Sequence, residues 1–257
     1  LFRREDWLEG PPESNPQQRS LGDDQADSHV RPGLQDQGGG SINIQKSRGI
    51  PPHFRITMRK LRTIEMNRLT LEEFKEAEKL PLIVVLDDVR SLYNVGSVFR
   101  SCDAFRVEAV CLCGITATPP NTEIHKTALG GEDSVDWEYF KTTEEAVEKL
   151  KQKGYFVYSI EQVEGSTKLQ NLEKSHKRIF GKEVGEKPSD SSLSTHHSSL
   201  PKGYAVIFGN EVKGVKQNIV DMSDGCLEIP QFGTKHSLNV SVTAGIVVWE
   251  FAKLLKL

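Results

Sequence analysis

Three glycine-marked stretches carry the side chains best suited to chemistry. In NVGSVFRSCDAF (94–105), Asn94 and Arg100 stand in one helix-like segment. In VIFGNEVKGV (206–215), Gly209 and Asn210 precede Glu211, and Gly214 follows. In IPQFGTKHSLNVSVTAG (229–245), Ile229, Pro230 and Gly233 lead into Ser237, Leu238 and Asn239. Each residue also has an ordinary reading. An Asn before an apolar helix is an N-cap, Gly209 and Gly214 serve turns, and Arg100 is a solvated helix charge. Yet Arg100 lies between Phe99 and the small pair Ser101 and Cys102, in a segment with no other Lys or Arg. None of the three stretches is a G-x-x-x-x-G-K-[ST] phosphate loop, a G-x-G-x-x-G dinucleotide turn or a serine nucleophile elbow. NTPase, nicotinamide dehydrogenase and serine hydrolase chemistry are therefore disfavoured.

Metal chemistry is disfavoured too. The cysteines, Cys102, Cys111, Cys113 and Cys226, form no C-x-x-C pair, and no His cluster sits at zinc spacing. Cys111 and Cys113 alternate in an apolar run, so one strand face buries both. Free, buried thiols imply a reducing compartment, read here as the cytoplasm. His196 and His197 lie in a Ser-rich stretch and read as solvated.

These residues need elements to hold them. The chain has 257 residues, 37% apolar and 27% charged, with net charge −3. This is the composition of a globular domain, without overall attraction to nucleic acid or anionic membrane. No run approaches the roughly 18 apolar residues of a membrane span. LIVVLDD (82–88) is a continuous apolar run, as in a parallel strand buried on both faces. Further strands are expected at 108–114, 155–160, 204–210 and 225–230. Helices are expected at 94–105 and 143–154, a helical turn at 125–131, and a final helix from Ser237 to the end. Thr70 followed by Glu73 fits a capping box ahead of another helix. Alternating strands and helices predict an α/β fold with a mostly parallel sheet, whose function sits in loops at the carboxyl ends of strands.

Two segments break this rhythm. Residues 1–57 are rich in Pro, Gly, Gln, Asp and Ser and read as disordered. They are too acidic for a transit peptide and lack a secretory apolar core; Met58 is read as a natural start. Residues 58–80 form a basic lead-in, with Arg59, Lys60, Arg62 and Arg68. The catalytic domain is assigned to 81–257, with a flexible surface insertion at about 171–201.

The three stretches, in this order, resemble the three motifs of the SpoU (TrmH-like) family of RNA 2′-O-ribose methyltransferases in the SPOUT superfamily. The resemblance runs from about residue 58 to 257. It implies an α/β fold, a mostly parallel sheet flanked by helices, with a C-terminal deep trefoil knot; knots are otherwise nearly absent from proteins. It implies S-adenosylmethionine (SAM) as methyl donor, no metal, RNA (tRNA or rRNA) as substrate, and a homodimer without membrane attachment. By motif position, Gly209, Ile229, Leu238 and Ile160 are the cofactor-binding candidates, with Ser159 and Glu161 beside them. Arg100, Asn94, Glu211, Ser237 and Asn239 are the catalytic candidates. Arg100 either activates the ribose hydroxyl or clamps an RNA phosphate bidentately. The small residues Ser241, Thr243, Ala244 and Gly245, with Trp249 and Phe251, are candidates for the subunit interface or for ordinary core packing. One departure stands out: Val212 and Lys213 occupy positions where the family carries small residues. Two rival readings stay open, a knotted RNA-binding protein without catalysis and a small-molecule enzyme on a similar scaffold.

Overall fold

The computed structural model describes residues 59–181, 200–235 and 237–255. Residues 1–57, Met58 and most of the expected insertion lie outside them. Seven strands are found among the described residues: β1 (Leu80–Asp87), β2 (Val107–Cys113), β3 (Asp136–Phe140), β4 (Tyr155–Ile160), β5 (Thr167–Lys168), β6 (Gly203–Phe208) and β7 (Gly225–Glu228). They form one sheet in the order β3-β2-β1-β6-β4-β7-β5, and every pairing is parallel. The helices are α1 (Leu71–Glu76), α2 (Leu92–Ala104), α3 (Thr122–Ala128), α4 (Gly131–Ser134), α5 (Thr143–Gln152), α6 (Leu172–Phe180), α7 (Gln217–Met222) and α8 (Val240–Leu254).

The apolar run of β1 feeds two cores. Leu82, Val84 and Leu86 join the larger one, with Val98 and Phe99 of α2 and Val247, Val248 and Phe251 of α8. Ile83 and Val85 point the other way, onto Ala146, Val147 and Leu150 of α5 and Ile219 of α7. Each such side chain, fully buried, contributes about 1.5–3 kcal/mol. Cys111 and Cys113 share the smaller core, as their alternation predicts. Both thiols are free, and burial pushes both above the ordinary thiol range.

Local chemistry sets the helix starts. Thr70 and Glu73 form the expected capping box on α1. Ser91 caps α2, accepting the N–H of Asn94 at 3.3 Å. The helix therefore opens at Leu92, two residues earlier than expected, and Asn94 lies inside its first turn instead of capping it. The final helix opens at Val240, not Ser237, because Asn239 is its cap: the Asn239 side chain accepts the Ser241 N–H at 2.9 Å. The expected turn at 125–131 resolves into α3 and α4, joined through Leu129 (φ 51°) and Gly130 (φ 94°).

Further elements differ from the sequence reading, among them α7, which was not expected. β3 and β5 were not expected, and they are the two edges of the sheet. Edge strands need no continuous apolar run; β3 reads DWEYF and β5 has only two residues. The start of the expected flexible insertion is α6, an ordered helix that buries Leu172, Ser175, His176 and Phe180. Leu172 and Phe180 enter the larger core.

Residues 59–68 belong to a second unit. In it Glu65 accepts the Arg62 N–H at 2.6 Å and pairs with Arg59 at 2.9 Å around a 3₁₀ turn.

Candidate active site

The carboxyl ends of β6, β4 and β7 lie side by side. The chain leaving them, together with the approach to α8, encloses a cleft of about 480 Å³. All four cofactor candidates line it: Ile160 from β4, Gly209 after β6, Ile229 after β7, and Leu238 before α8. So do Glu211, Ser237 and Asn239.

Three catalytic candidates, one from each motif, are joined by hydrogen bonds. Asn94 donates its Nδ2 to Glu211 Oε1 at 3.2 Å. Asn239 donates its Nδ2 to Asn94 Oδ1 at 3.1 Å. Asn94 is 9% exposed, whereas Glu211 and Asn239 are exposed, so both bonds are partly buried. Glu211 also accepts the backbone N–H groups of Arg90 and Ser91, at 3.0 and 2.9 Å. Burial alone would raise the Glu211 carboxyl. The N–H donors of Arg90 and Ser91 and the Asn94 amide outweigh it and hold the group below the usual carboxylate range. It is thus an anion that fixes the loop before α2 and the amide of Asn94. Asn239 fills two structural roles at once, cap of α8 and member of this network.

Gly209 is required for a reason the sequence did not reveal. A Cβ there would lie 2.1 Å from the Gly214 carbonyl carbon and 2.2 Å from the Val215 nitrogen. The chain folds back on itself: Asn210 and Gly214 exchange backbone hydrogen bonds of 3.1 and 2.9 Å. The space a Cβ would take at Gly209 is filled by this protein's own backbone. Gly214 has φ +68°, and a Cβ there would lie 2.1 Å from Glu161 Oε2.

Sequence reasoning passed over several residues that shape this loop. Asn210 donates its side-chain amide to the Asp88 carbonyl at 2.8 Å and accepts the Val212 N–H at 3.0 Å. Its place in a G-N-E turn after a strand is the signal that could have found it. Lys216 reaches back to the end of β1, pairing with Asp88 at 2.6 Å and Asp87 at 3.4 Å. The Lys216 contact holds the Asp88 carboxyl below its ordinary value, and Asp88 in turn raises the ammonium of Lys216. Lys213, Glu161 and Thr243 also line the cleft.

Arg100 stands apart. It is exposed on α2, outside the cleft lining. The structure therefore gathers four of the five catalytic candidates at the cleft, three as wall residues and Asn94 through its hydrogen bonds, but not the fifth. On α8, Ala244 and Phe251 are fully buried within the chain's own core, whereas Val242, Ile246 and Trp249 are 52, 37 and 52% exposed. Of the interface candidates, Ala244 and Phe251 are thus core residues. Gly245 faces Ser101 of α2, with 3.8 Å between its would-be Cβ and the Ser101 hydroxyl.

Known proteins share the sequence pattern and the fold. The chain is 27% identical over 185 residues to the 23S rRNA (guanosine-2′-O-)-methyltransferase RlmB of Neisseria meningitidis, covering 72% of this chain and 63% of the relative. It thus spans less than two thirds of that relative's length. It is 27% identical over 189 residues to a tRNA (guanosine(18)-2′-O)-methyltransferase of Thermus thermophilus, covering 72% of this chain and 81% of the relative. Its fold is shared with the A. aeolicus TrmH/SpoU tRNA modifying enzyme at TM-score 0.56 and 21% identity, over 72% of this chain and 82% of that one. It is shared also with the AdoMet-bound rRNA methyltransferase of Sinorhizobium meliloti at TM-score 0.54 and 21% identity, over 71% and 60%. The profile of the SpoU rRNA Methylase family matches residues 81–249, from β1 into α8 and through all three motifs; the chain belongs to this family.

Proposed function

We propose that this protein transfers the methyl group of SAM to a ribose 2′-hydroxyl of tRNA or rRNA. The observation that carries this reading is the hydrogen-bonded chain Glu211–Asn94–Asn239 at a cleft walled by Ile160, Ile229 and Leu238. The residues present fit SAM. The cleft volume of about 480 Å³ falls in the range of small-molecule sites, about 300–1,000 Å³. Its aliphatic side chains suit a purine face, and the loop backbone offers polar groups to the purine edge.

Bound there, SAM would supply a sulfonium-borne methyl group: the S–CH3 bond breaks as the O–CH3 bond forms, S-adenosylhomocysteine is the leaving group, and the hydroxyl proton passes to solvent. The protein's part is placement. Glu211 fixes Asn94 and the 90–91 backbone, and Asn239 fixes Asn94 from the other side. Ser237, exposed in the cleft wall, is free to meet the ribose. The Arg100 guanidinium holds an adjacent phosphate in bidentate contact, which orients the hydroxyl for attack.

The reading includes a homodimer. The exposed stripe Val242, Ile246 and Trp249 recurs at helical spacing on α8, and α8 packs beside α2. Arg100 lies outside its own chain's cleft lining, and in this reading it serves the cleft of the second copy. The deep trefoil knot belongs to the same reading.

The test is calorimetric SAM binding combined with methyl transfer to bulk tRNA and rRNA. Arg100→Ala should bind SAM as the wild type does and lose transfer by about 100-fold or more. Undiminished transfer would refute the role given to Arg100. SAM binding by the wild type without any RNA methylation would refute the reaction.

A further inference from the structure

Three carboxylates line the cleft: Glu161, Glu211 and Glu228. Two have side-chain partners. Glu211 has its three donors, and Glu228 is paired with Lys168. Glu161 differs. Its Oε2 accepts the Val215 N–H at 3.0 Å and its Oε1 the Gln162 N–H at 2.9 Å. A carboxylate has about four acceptor positions, so about two remain. Among the described residues no cation forms an ion pair with it. Its backbone is pinned to β7 on both sides: its N–H donates to the Leu227 carbonyl at 3.0 Å, and its carbonyl accepts the Cys226 thiol at 3.3 Å. Gly214 packs so closely that a Cβ there would strike Oε2. Glu161 is therefore a rigid anion in the cleft wall, between the ends of β6 and β7, with unused acceptors.

We propose that Glu161 recognises the ribose of the bound nucleoside, accepting hydrogen bonds from its 2′- and 3′-hydroxyls. This rests on the SAM reading above. A pair of adjacent hydroxyls matches a carboxylate's two oxygens, the same chemistry by which acidic residues hold ribose in dinucleotide folds. Position favours the ribose over the ligand's ammonium. Glu161 directly follows Ile160, one of the aliphatic residues placed around the purine, and the ribose is the next group along the ligand. The ammonium lies at the opposite end of the molecule.

The experiment measures binding of SAM, 5′-methylthioadenosine and the 2′-deoxy and 3′-deoxy forms of methylthioadenosine. Wild type, Glu161→Ala and Glu161→Gln are compared. Methylthioadenosine keeps the ribose but has neither sulfonium nor ammonium. The wild type should lose about 10- to 100-fold in affinity when a hydroxyl is removed, the range of a hydrogen bond to a charged group. Glu161→Ala should weaken SAM and methylthioadenosine alike and no longer distinguish the deoxy forms. A merely structural role would weaken all ligands while preserving that discrimination, and this result would overturn the proposal. So would a loss confined to SAM, which would assign Glu161 to the sulfonium or ammonium. If Glu161→Ala does not fold, Glu161→Gln keeps one acceptor for the Val215 N–H and should show reduced discrimination; full discrimination overturns the proposal. A wild type that binds neither SAM nor methylthioadenosine defeats the cofactor reading and this inference together. A wild type that binds both while Glu161→Ala discriminates normally defeats the inference alone.

Discussion

Asn94→Asp is the sharpest single test of the three-motif network. The substitution is nearly isosteric. It keeps Oδ1 as acceptor for Asn239 but replaces the Nδ2 donor with an oxygen, 3.2 Å from Glu211 Oε1. A hydrogen bond to a charged group, about 1.5–3 kcal/mol, is lost. Repulsion between two unit charges at this distance is about 1 kcal/mol in bulk water and about 5 at an effective dielectric of 20. Asn94 is buried but Glu211 is exposed, which favours the low end of both ranges, so a combined loss of about 3–4 kcal/mol is expected. The two carboxylates would share their titration, with one group raised above the ordinary value near 4. The penalty should therefore be full at pH 7.5 and shrink as pH falls toward 5. Urea unfolding at both pH values measures it, with SAM titration as the site readout. Adding Glu211→Gln to Asn94→Asp restores one donor–acceptor pair and should recover part of the loss. A variant as stable and as active as the wild type at pH 7.5 would show that the Asn94–Glu211 bond does not organise the site.

Further outcomes follow from other residues. Gly209→Ala should cost about 3 kcal/mol or more, because its Cβ meets backbone near 2.1 Å, whereas Gly233→Ala, with nothing within 4 Å, should stay within about 0.5 kcal/mol; urea unfolding separates them. His176, buried against Tyr204, has its pKa lowered by burial. The unfolded chain takes up this proton near pH 6.5, so the contribution is complete above that pH and is lost below it. The stability difference between wild type and His176→Gln should accordingly shrink from pH 7 to pH 5. Co-expressed Arg100→Ala and Leu238→Glu subunits should regain activity near a quarter of wild type if Arg100 serves a partner's cleft. Half the dimers are then mixed, with one intact site in each; no recovery places Arg100 at its own cleft.

Legibility in the sequence followed burial. The run LIVVL announces a strand because both its faces meet cores, Leu82 and Val84 on one side and Ile83 and Val85 on the other. β3 was silent because an edge strand spends Glu138 and Tyr139 on partly open surroundings. The order of the three motifs marked Asn94, Glu211 and Asn239 as one site, but their contacts depend on which strand ends are adjacent, and that is a property of sheet order. Gly209 was placed in a turn by type and position, but neither shows that residues 214–215 return to fill its side. Lys216 escaped notice because a lysine after a turn looks solvated until the acidic pair at the end of β1 is placed beside it. Arg100 was identified by type and spacing, yet neither tells that it lies exposed on α2, outside the cleft lining of its own chain.

The hydrogen bonds that assemble the site join residues very far apart along the chain: 117 positions for Asn94–Glu211, 121 for Arg90–Glu211 and 145 for Asn94–Asn239. Each closes a long loop, and loop closure is entropically unfavourable until many other contacts share it. A wholly parallel sheet has no local hairpins to begin from, and such topologies fold slowly. The amide of Asn94 cannot reach both partners until β6 has entered between β1 and β4 and α8 has docked. Chemical competence is therefore among the last properties the chain acquires on folding. Native-state hydrogen exchange should find the amides of Arg90 and Ser91 opening with the docking of α8 and not with the fraying of α2.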